Sequence, residues 1–120
     1  YKVDWPIVPH GMSVVLNAPA VFRFTGEACP RRHLNAAEAL GVDVTNAKEE
    51  DAGTIVADRI IEIMQELDIP NGLSAIGYTT ADIPALAKGT LPQHRVTKLS
   101  PRPAGEEELC ALFEDAMSYW

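Results

Sequence analysis

The segment from Gly11 to Phe24, GMSVVLNAPAVFRF, limits most strongly how this chain can fold. Apolar residues fill nearly every position, so a helix formed here would be buried on most of its faces. A buried strand is the alternative, because the segment is rich in Val and Phe. The length favours a helix, and Pro19 predicts a kink because proline lacks a backbone donor. We expect other helices, or another copy of the chain, to cover this helix.

Two segments in the middle of the chain also predict helices. In CPRRHLNAAEALG, Pro30 suits the first turn and Gly41 the stop, with Ala and Leu at positions 36, 37 and 40 facing inward. The segment DAGTIVADRIIEIMQELDIPNG has the clearest helical period. Its apolar residues recur at steps of three and four, at Val56, Ile60, Ile63, Met64 and Leu67.

The last third of the chain predicts two more helices separated by a loop. Thr79, Thr80 and Asp82 offer caps for a short helix through Leu86 that Gly89 closes. Residues 90–105 carry three prolines and predict a surface loop, and residues 105–120 predict an amphipathic helix that begins with three glutamates. Residues 1–120 are therefore expected to form a single all-α unit of about five helices without a strand.

Composition excludes several classes of partner. The net charge is −7, and an acidic chain without a basic stripe repels phosphate, so we expect no nucleic-acid partner. No apolar run approaches the roughly 20 residues that cross a bilayer, so we expect no membrane partner. Cys29 and Cys110 fit no metal or redox spacing, and without an export signal the default is the cytoplasm. The start at Tyr1, without Met, indicates a truncated chain.

Three histidines are the candidate metal ligands. His10 lies between Pro9 and Gly11, which together hold a side chain in a fixed direction at the start of a helix. Neutral imidazole is a common ligand of Zn, Fe and Cu. On spacing alone a capping or packing role is preferred for His10, because no second ligand follows at i+4. His33 and His94 are expected to be solvated surface residues.

No other set of residues forms a catalytic constellation in the sequence. Asn17 is expected to satisfy a backbone group freed by Pro19, with contact to a substrate as the alternative. The glutamates 106–108 form the acidic start of a helix, not an acid–base pair. The serines and cysteines have no evident activating base, and the glycines follow no phosphate-loop spacing. We therefore assign no catalytic residue and no cofactor-binding residue.

Three segments, in order, carry a resemblance to a known family. PHGMSVVLNAPAVFRF resembles the histidine-bearing motif of the iron-containing (group III) alcohol dehydrogenases, and IPNGLSAIGYTTADIPALAKGTL and TKLSPRPAGEEELCALFEDAM resemble their C-terminal segments. The segment LNAPAVFRFTGEACPRRHLNAAEALG is most similar to the hydroxyacid-oxoacid transhydrogenase branch of this family. The resemblance covers essentially the whole chain.

The resemblance implies a larger enzyme than these 120 residues. Such enzymes have an N-terminal α/β domain that binds NAD and a C-terminal helical domain of the dehydroquinate synthase-like fold. That domain binds iron, or sometimes zinc, through one aspartate and three histidines, and His10 matches the last histidine. The resemblance implies that the NAD-binding domain and the other ligands are absent here, and that the missing N-terminal region is a partner of this chain.

Two functions from different classes remain open. The first is the metal-domain piece of an oxidoreductase that transfers hydride between a hydroxy acid or alcohol and a nicotinamide or oxo acid. In the transhydrogenase branch, the resemblance implies oxidation of a 4-hydroxy acid and reduction of a 2-oxo acid. We expect the isolated chain to bind no metal or cofactor and to be inactive, because chelation by several ligands supplies most of the affinity. The second is a non-catalytic helical module that forms a homo-oligomer through residues 11–24.

Overall fold

The computed structural model describes residues 8–120, and these residues form helices and connecting turns without a strand. The predicted all-α class is confirmed. Five α-helices have eight residues or more, and a one-turn helix, α5, lies between the last two. Their bounds are α1 His10–Gly26, α2 Pro30–Ala39, α3 Ala52–Glu66, α4 Ile83–Thr90, α5 His94–Thr97 and α6 Glu106–Asp115.

Helix α1 runs unbroken through Pro19, so the strand alternative for this segment is wrong. Leu16, Pro19 and Ala20 face the core and are almost inaccessible to solvent. The opposite side is open: Val14 is 55% exposed and Val21 is 40% exposed. The described residues thus cover only one side of this apolar helix, although the sequence predicts burial on most sides.

Asn17 does not satisfy the backbone group that Pro19 frees. Proline at position 19 leaves the carbonyl of Val15 without its usual helical donor. The side-chain Nδ2 of Asn17 instead donates to the carbonyl oxygen of Ser13, at 2.9 Å. The prediction for Asn17 is therefore wrong about the partner, because the amide points back along its own turn of the helix.

The predicted inward side of helix α2 is confirmed at Ala37, which is buried, and is half-buried at Ala36, but it is wrong at Leu40. His33, Leu34 and Ala37 are buried, whereas Leu40 is 37% exposed. The predicted stop is confirmed: Gly41 has a φ of +89°, which lets the chain leave the helix in a left-handed turn. The period of three to four was right, but the direction of the buried side depends on where α3 packs.

Helix α3 packs along α1 and lies next to α2. Val56 and Met64 are buried as predicted, and Ile60 and Ile63 are half-buried. Leu67, which follows the last residue of α3, is 66% exposed even though it continues the same apolar period. The apolar stripe of α3 therefore ends, at Leu67, in a surface that residues 8–120 leave exposed.

Glycines allow α1 and α3 to touch backbone to backbone at one end. A Cβ atom at Gly26 would lie 2.4 Å from the Cα of Gly53. A Cβ atom at Gly53 would lie 2.7 Å from the carbonyl oxygen of Phe22. Side chains at these two positions would force the helices apart, so glycine is required at both.

The last third of the chain returns to α1 through the C-terminal tail. Asn71 anchors this tail: its Oδ1 accepts the backbone N–H of Tyr119 at 2.7 Å. The Tyr119 hydroxyl donates to the carbonyl oxygen of Leu16 at 2.8 Å. The tail therefore packs onto the same hydrophobic core as α1. The buried residues of this core are Leu16, Ala20, Met64, Leu73, Ile83, Ala116 and Met117.

Three boundaries in this third differ from the sequence-based predictions. The last helix, predicted over residues 105–120, ends at Asp115. Gly89 does not close α4, which continues to Thr90. The segment 90–105, predicted as a loop, contains the one-turn helix His94–Thr97. Thr79 does cap its segment as predicted, because the Asp82 carboxylate accepts both the N–H and the hydroxyl of Thr79, at 2.8 and 2.9 Å.

Candidate functional site

The largely apolar groove between α1 and α3 is the candidate site, and His10 lies at its edge. The groove has a volume of about 530 Å³. The first turns of α1 form one wall, and the last turns of α3 with the residues after it form the other. The lining residues are His10, Gly11, Val14, Val15, Ala18, Ile60, Ile63, Met64, Leu67 and Ile69. Apart from the imidazole of His10, every side chain in this lining is apolar.

The backbone around His10 is fixed by local hydrogen bonds. Pro9 is extended, with φ −54° and ψ 142°, and its carbonyl oxygen accepts the N–H of Ser13 at 3.0 Å. The hydroxyl of Ser13 donates to the carbonyl oxygen of His10 at 2.8 Å. His10 is exposed and is the first residue of α1. The predicted helix start is therefore confirmed, and the ring lies at an opening instead of being sealed in the core.

The described residues supply one metal donor at this place. Within residues 8–120, no group of three or more His, Cys, Asp or Glu side chains is placed to hold a metal ion. A stable iron or zinc site needs several such donors. His10 alone does not make one, and its role as a ligand stays a prediction that requires donors from elsewhere.

His33 is buried, so the expectation that it is a solvated surface residue is wrong. Its ring packs edge-on against Phe22, with 5.6 Å between the ring centroids. Nδ1 lies 3.0 Å from the carbonyl oxygen of Cys29, and Nε2 lies 2.9 Å from the hydroxyl oxygen of Thr25. Both ring nitrogens therefore have a hydrogen-bond partner, and the Thr25 hydroxyl in addition donates to the carbonyl oxygen of Val21 at 2.9 Å. Every hydrogen-bonding group of the ring is satisfied, which explains how it is buried.

The other candidates lie away from the groove. His94 is exposed, as expected, and lines a separate depression of about 520 Å³ with Lys98 and Ser100. The glutamates 106–108 are exposed in the first turn of α6, also as expected. Cys29 and Cys110 are half-buried free thiols. The structure thus brings none of these side chains to His10.

The wall opposite His10 was not assigned to any site from the sequence. Ile60, Ile63 and Leu67 were predicted only as members of the apolar helical period of α3. Leu67 is exposed, Ile60 and Ile63 are half-buried, and all three line the groove. The signal in the sequence was the unusually apolar α1, since a helix that needs cover on several sides implies a second apolar surface beside it.

Comparison with known proteins connects this fold to an enzyme family. The profile of the "Fe-containing alcohol dehydrogenase family, C-terminal" matches residues 7–117. The chain belongs to this family. The fold of this chain is also similar to a solved structure, that of 1,3-propanediol oxidoreductase. The two superpose with a TM-score of 0.82 at 28% sequence identity. That match covers 91% of this chain and 28% of the other. The predicted family and fold are confirmed.

Curated relatives of this iron-containing alcohol dehydrogenase segment are hydroxyacid-oxoacid transhydrogenases. The mitochondrial protein of Xenopus laevis is 62% identical over all 120 residues, which are 26% of its length. The human protein is 56% identical over the same share of its length. The probable transhydrogenase of Dictyostelium discoideum is 51% identical, and the match covers 22% of it. The chain therefore spans about a quarter of the length of these relatives, which supports the predicted missing N-terminal region.

The expectation of a cytoplasmic protein is contradicted by these relatives, whose names place them in mitochondria. That expectation came from two cysteines and the lack of an export signal, and neither observation distinguishes the cytoplasm from the mitochondrial matrix. Mitochondrial transit peptides are N-terminal, so a segment homologous to a C-terminal region carries no such information. Separately, none of the helices within residues 8–120 is long and apolar enough to span a membrane.

Proposed function

We propose that this chain is the C-terminal part of a mitochondrial hydroxyacid-oxoacid transhydrogenase. The complete enzyme would oxidise a 4-hydroxy acid and reduce a 2-oxo acid, with a bound nicotinamide dinucleotide carrying the hydride. The observation that supports this most strongly is identity of 51–62% over all 120 residues with proteins of that name from a frog and from a slime mould. The 28% identity to 1,3-propanediol oxidoreductase supports only the wider family.

His10 is the residue of this chain that we propose to bind the metal. It is exposed at the start of a helix whose first turn is fixed by Pro9 and Ser13, so the ring is held at the edge of the groove. An iron or zinc ion bound there would polarise the substrate oxygen as a Lewis acid. His10 would contribute one neutral nitrogen, and its fixed backbone would reduce the conformational entropy lost when the ring binds.

The other metal ligands and the NAD site are proposed to lie in the region that precedes this chain. Residues 8–120 contain no group of three or more metal donors, and no second donor lines the groove beside His10. The groove beside His10 is lined by aliphatic side chains, which suit the exclusion of water from a hydride-transfer site. This chain would therefore supply one ligand and an apolar wall, and not a complete active site.

The test is a chimera that joins the upstream region of the Xenopus laevis relative to these 120 residues. Oxidation of 4-hydroxybutyrate that depends on an added 2-oxo acid would be measured together with bound iron and zinc. We expect His10→Ala to lower both activity and metal content by at least about 100-fold, because loss of a group that binds the metal costs more than loss of the groups that orient it. His94→Ala is the matched control, since His94 is exposed, is far from His10 in the sequence and lines a different depression.

Two outcomes would contradict the proposal in different ways. An active chimera in which His10→Ala keeps its metal would remove His10 from the ligand set while leaving the activity in place. A chimera that binds metal but oxidises only simple alcohols, without dependence on an oxo acid, would place the chain in another branch of the family.

A further inference from the structure

A second group of chemically active side chains lies at the turn between α1 and α2, outside the groove lining. It consists of Thr25 in the last turn of α1, Cys29 directly before α2, and His33 in α2. The Sγ atom of Cys29 lies 3.5 Å from Nδ1 of His33, and Nε2 of His33 lies 2.9 Å from Oγ1 of Thr25. A nucleophile in contact with a base that a third side chain orients is the arrangement that activates thiols in proteins. Cys29 therefore has a base beside it, although none was evident in the sequence.

The hydrogen bonds of Thr25 decide whether the His33 ring can take up the thiol proton. The hydroxyl of Thr25 donates to the carbonyl oxygen of Val21 at 2.9 Å. With its one hydrogen used there, Thr25 accepts from Nε2 of His33, and Nδ1 of the neutral ring then carries a lone pair. That lone pair faces the Cys29 sulfur at 3.5 Å and the Cys29 carbonyl oxygen at 3.0 Å. Of these two groups only the thiol can donate a hydrogen, so Nδ1 is placed to accept it.

Transfer of the proton from Sγ to Nδ1 improves the contacts of the ring. Before the transfer the thiol hydrogen is shared with the carbonyl oxygen of Thr25, 3.5 Å from the sulfur, while the lone pairs of Nδ1 and the Cys29 carbonyl face each other. After the transfer the Nδ1–H group donates to that carbonyl oxygen and lies beside the thiolate. His33 is 6% exposed, so water competes little for these hydrogen bonds.

The ends of α1 and α2 favour the two charges that this proton transfer creates. Cys29 immediately precedes the first turn of the ten-residue α2, which holds the exposed Arg31 and Arg32 and no acidic residue. A helix N-terminus and neighbouring arginines both stabilise a thiolate. The ring of His33 contacts Thr25 in the last turn of α1, where the helix dipole stabilises a positive charge.

We infer that Cys29 is a nucleophilic thiol activated by His33, and that it is a site of oxidation by hydrogen peroxide. Nδ1 of His33 takes the thiol proton, and the sulfur attacks one oxygen of the peroxide. The S–O bond forms as the O–O bond breaks, and the departing hydroxide takes the proton from Nδ1 and leaves as water. Sulfur is oxidised to a sulfenic acid and the peroxide is reduced. The inference goes beyond the proposed function, because it requires neither a metal at His10 nor a nicotinamide.

Peroxide oxidation of the natural chain tests this inference, with Cys110 as an internal control. Cys110 is half-buried like Cys29, but it packs against the hydrophobic core. The sulfenic acid is trapped with dimedone and quantified for each cysteine peptide by mass spectrometry. We expect Cys29 to react at least about tenfold faster than Cys110, because a positioned base assists the reaction. The difference should vanish in urea, where the contact with His33 is lost. Equal rates in the folded chain, or a difference that persists in urea, would overturn the inference.

Two substitutions separate the effect of the base from that of exposure. His33→Gln removes the base, and the rate at Cys29 should fall to within about threefold of the rate at Cys110. Thr25→Val keeps the shape of the side chain but removes the acceptor for Nε2, so that Nδ1 keeps the proton and the rate at Cys29 should fall as well. His94→Gln is the control, because His94 is exposed and outside this group.

The rate at Cys110 reports whether each variant is folded, since unfolding would make this thiol react faster. An undiminished rate at Cys29 in either variant with a slow Cys110 would overturn the inference. If both variants unfold, the comparison of the natural chain with and without urea decides by itself.

Discussion

Helices α1 and α3 meet in opposite ways at their two ends. At the end that contains Gly26 and Gly53, a single Cβ atom would meet backbone at 2.4 Å, so no space separates the helices. At the end that contains His10 and Leu67, the same helices leave a groove of about 530 Å³. The closed end is complete in itself, because its polar groups and its packing are satisfied by residues of this chain. The open end is apolar but uncovered, which is typical of a surface that belongs to an interface.

The difference shows that one helix pair can be closely packed at one end and open to solvent at the other. Glycines let the backbones approach at one end, whereas Val14 and Leu67 line the groove at the other end. Beside the closed end, the buried pair Thr25 and His33 adds a satisfied polar contact. Stability should therefore depend strongly on the closed end and the core and weakly on the open end, and each prediction below tests that contrast by urea unfolding of this chain.

The largest difference in the free energy of unfolding is expected between substitutions at Met64 and Leu67, which lie three residues apart. Met64 is 1% exposed, whereas Leu67 is 66% exposed. We expect Met64→Ala to lower the free energy of unfolding by about 2–5 kcal/mol, because it removes buried methylene groups and leaves a cavity. Leu67→Ala should change it by less than about 0.5 kcal/mol. Equal losses at the two positions would mean that the open end is packed in this chain by itself.

The glycine contact gives the next largest effect. In Gly53→Ala the new methyl group would meet the carbonyl oxygens of Phe22 and Arg23 at 2.7 and 2.9 Å, and neither is a flexible group. We expect a loss of about 1–3 kcal/mol, reduced somewhat by the better helix propensity of alanine. Gly11→Ala at the open end is the control: no atom lies within 4 Å, so the change should be neutral or stabilising by up to about 1 kcal/mol.

Removal of the Thr25 hydroxyl tests the buried histidine. Thr25→Val keeps the shape of the side chain but leaves Nε2 of His33 without its partner. We expect a loss of about 1–3 kcal/mol, which is the usual cost of an unsatisfied buried polar group. Thr54→Val, at an exposed position of α3, should stay within about 0.5 kcal/mol. A neutral Thr25→Val would show that water or another group reaches His33.

The smallest effect on stability is expected in the middle of α1, where the C-terminal tail contacts Leu16. Tyr119→Phe removes the hydrogen bond to the carbonyl oxygen of Leu16 and should cost about 1 kcal/mol near neutral pH. Tyr78→Phe is the control, because Tyr78 is 39% exposed.

Alkaline pH sharpens the test of Tyr119. Burial raises the pKa of Tyr119 from 10.0 to about 12. The unfolded chain therefore loses this proton first, so the stability that the neutral hydroxyl contributes is complete below pH 10 and is lost between pH 10 and 12. The advantage of the natural chain over Tyr119→Phe should shrink across this interval when unfolding is repeated at each pH. A constant difference would show that the hydroxyl is as accessible in the fold as in the unfolded chain.

The sequence predicted most helices because their signals are local. The period of α3, the proline and glycine that bound α2, and the Thr79 cap each act within one or two turns, and all are confirmed. The errors were made where a distant segment decides. The buried side of α2 is set by contact with α3 and α1, so His33 is buried although it follows two arginines. The partner of Asn17 is a local exception, because its amide bonds the carbonyl oxygen of Ser13 four residues earlier. The short helix at residues 94–97 was not signalled by any local pattern.

For the candidate site, too, some features were predictable from the sequence and others were not. The sequence by itself determined the Pro-His-Gly turn at position 10, the apolar character of α1 and the family, because each is a property of consecutive residues or of ordered motifs. Only the tertiary structure decided that Gly26 touches Gly53, that α1 and α3 diverge into a groove, and that His10 lies at its edge. Those facts depend on how two helices far apart in the sequence cross, and helix crossing is set by the packing of side chains from both helices at once.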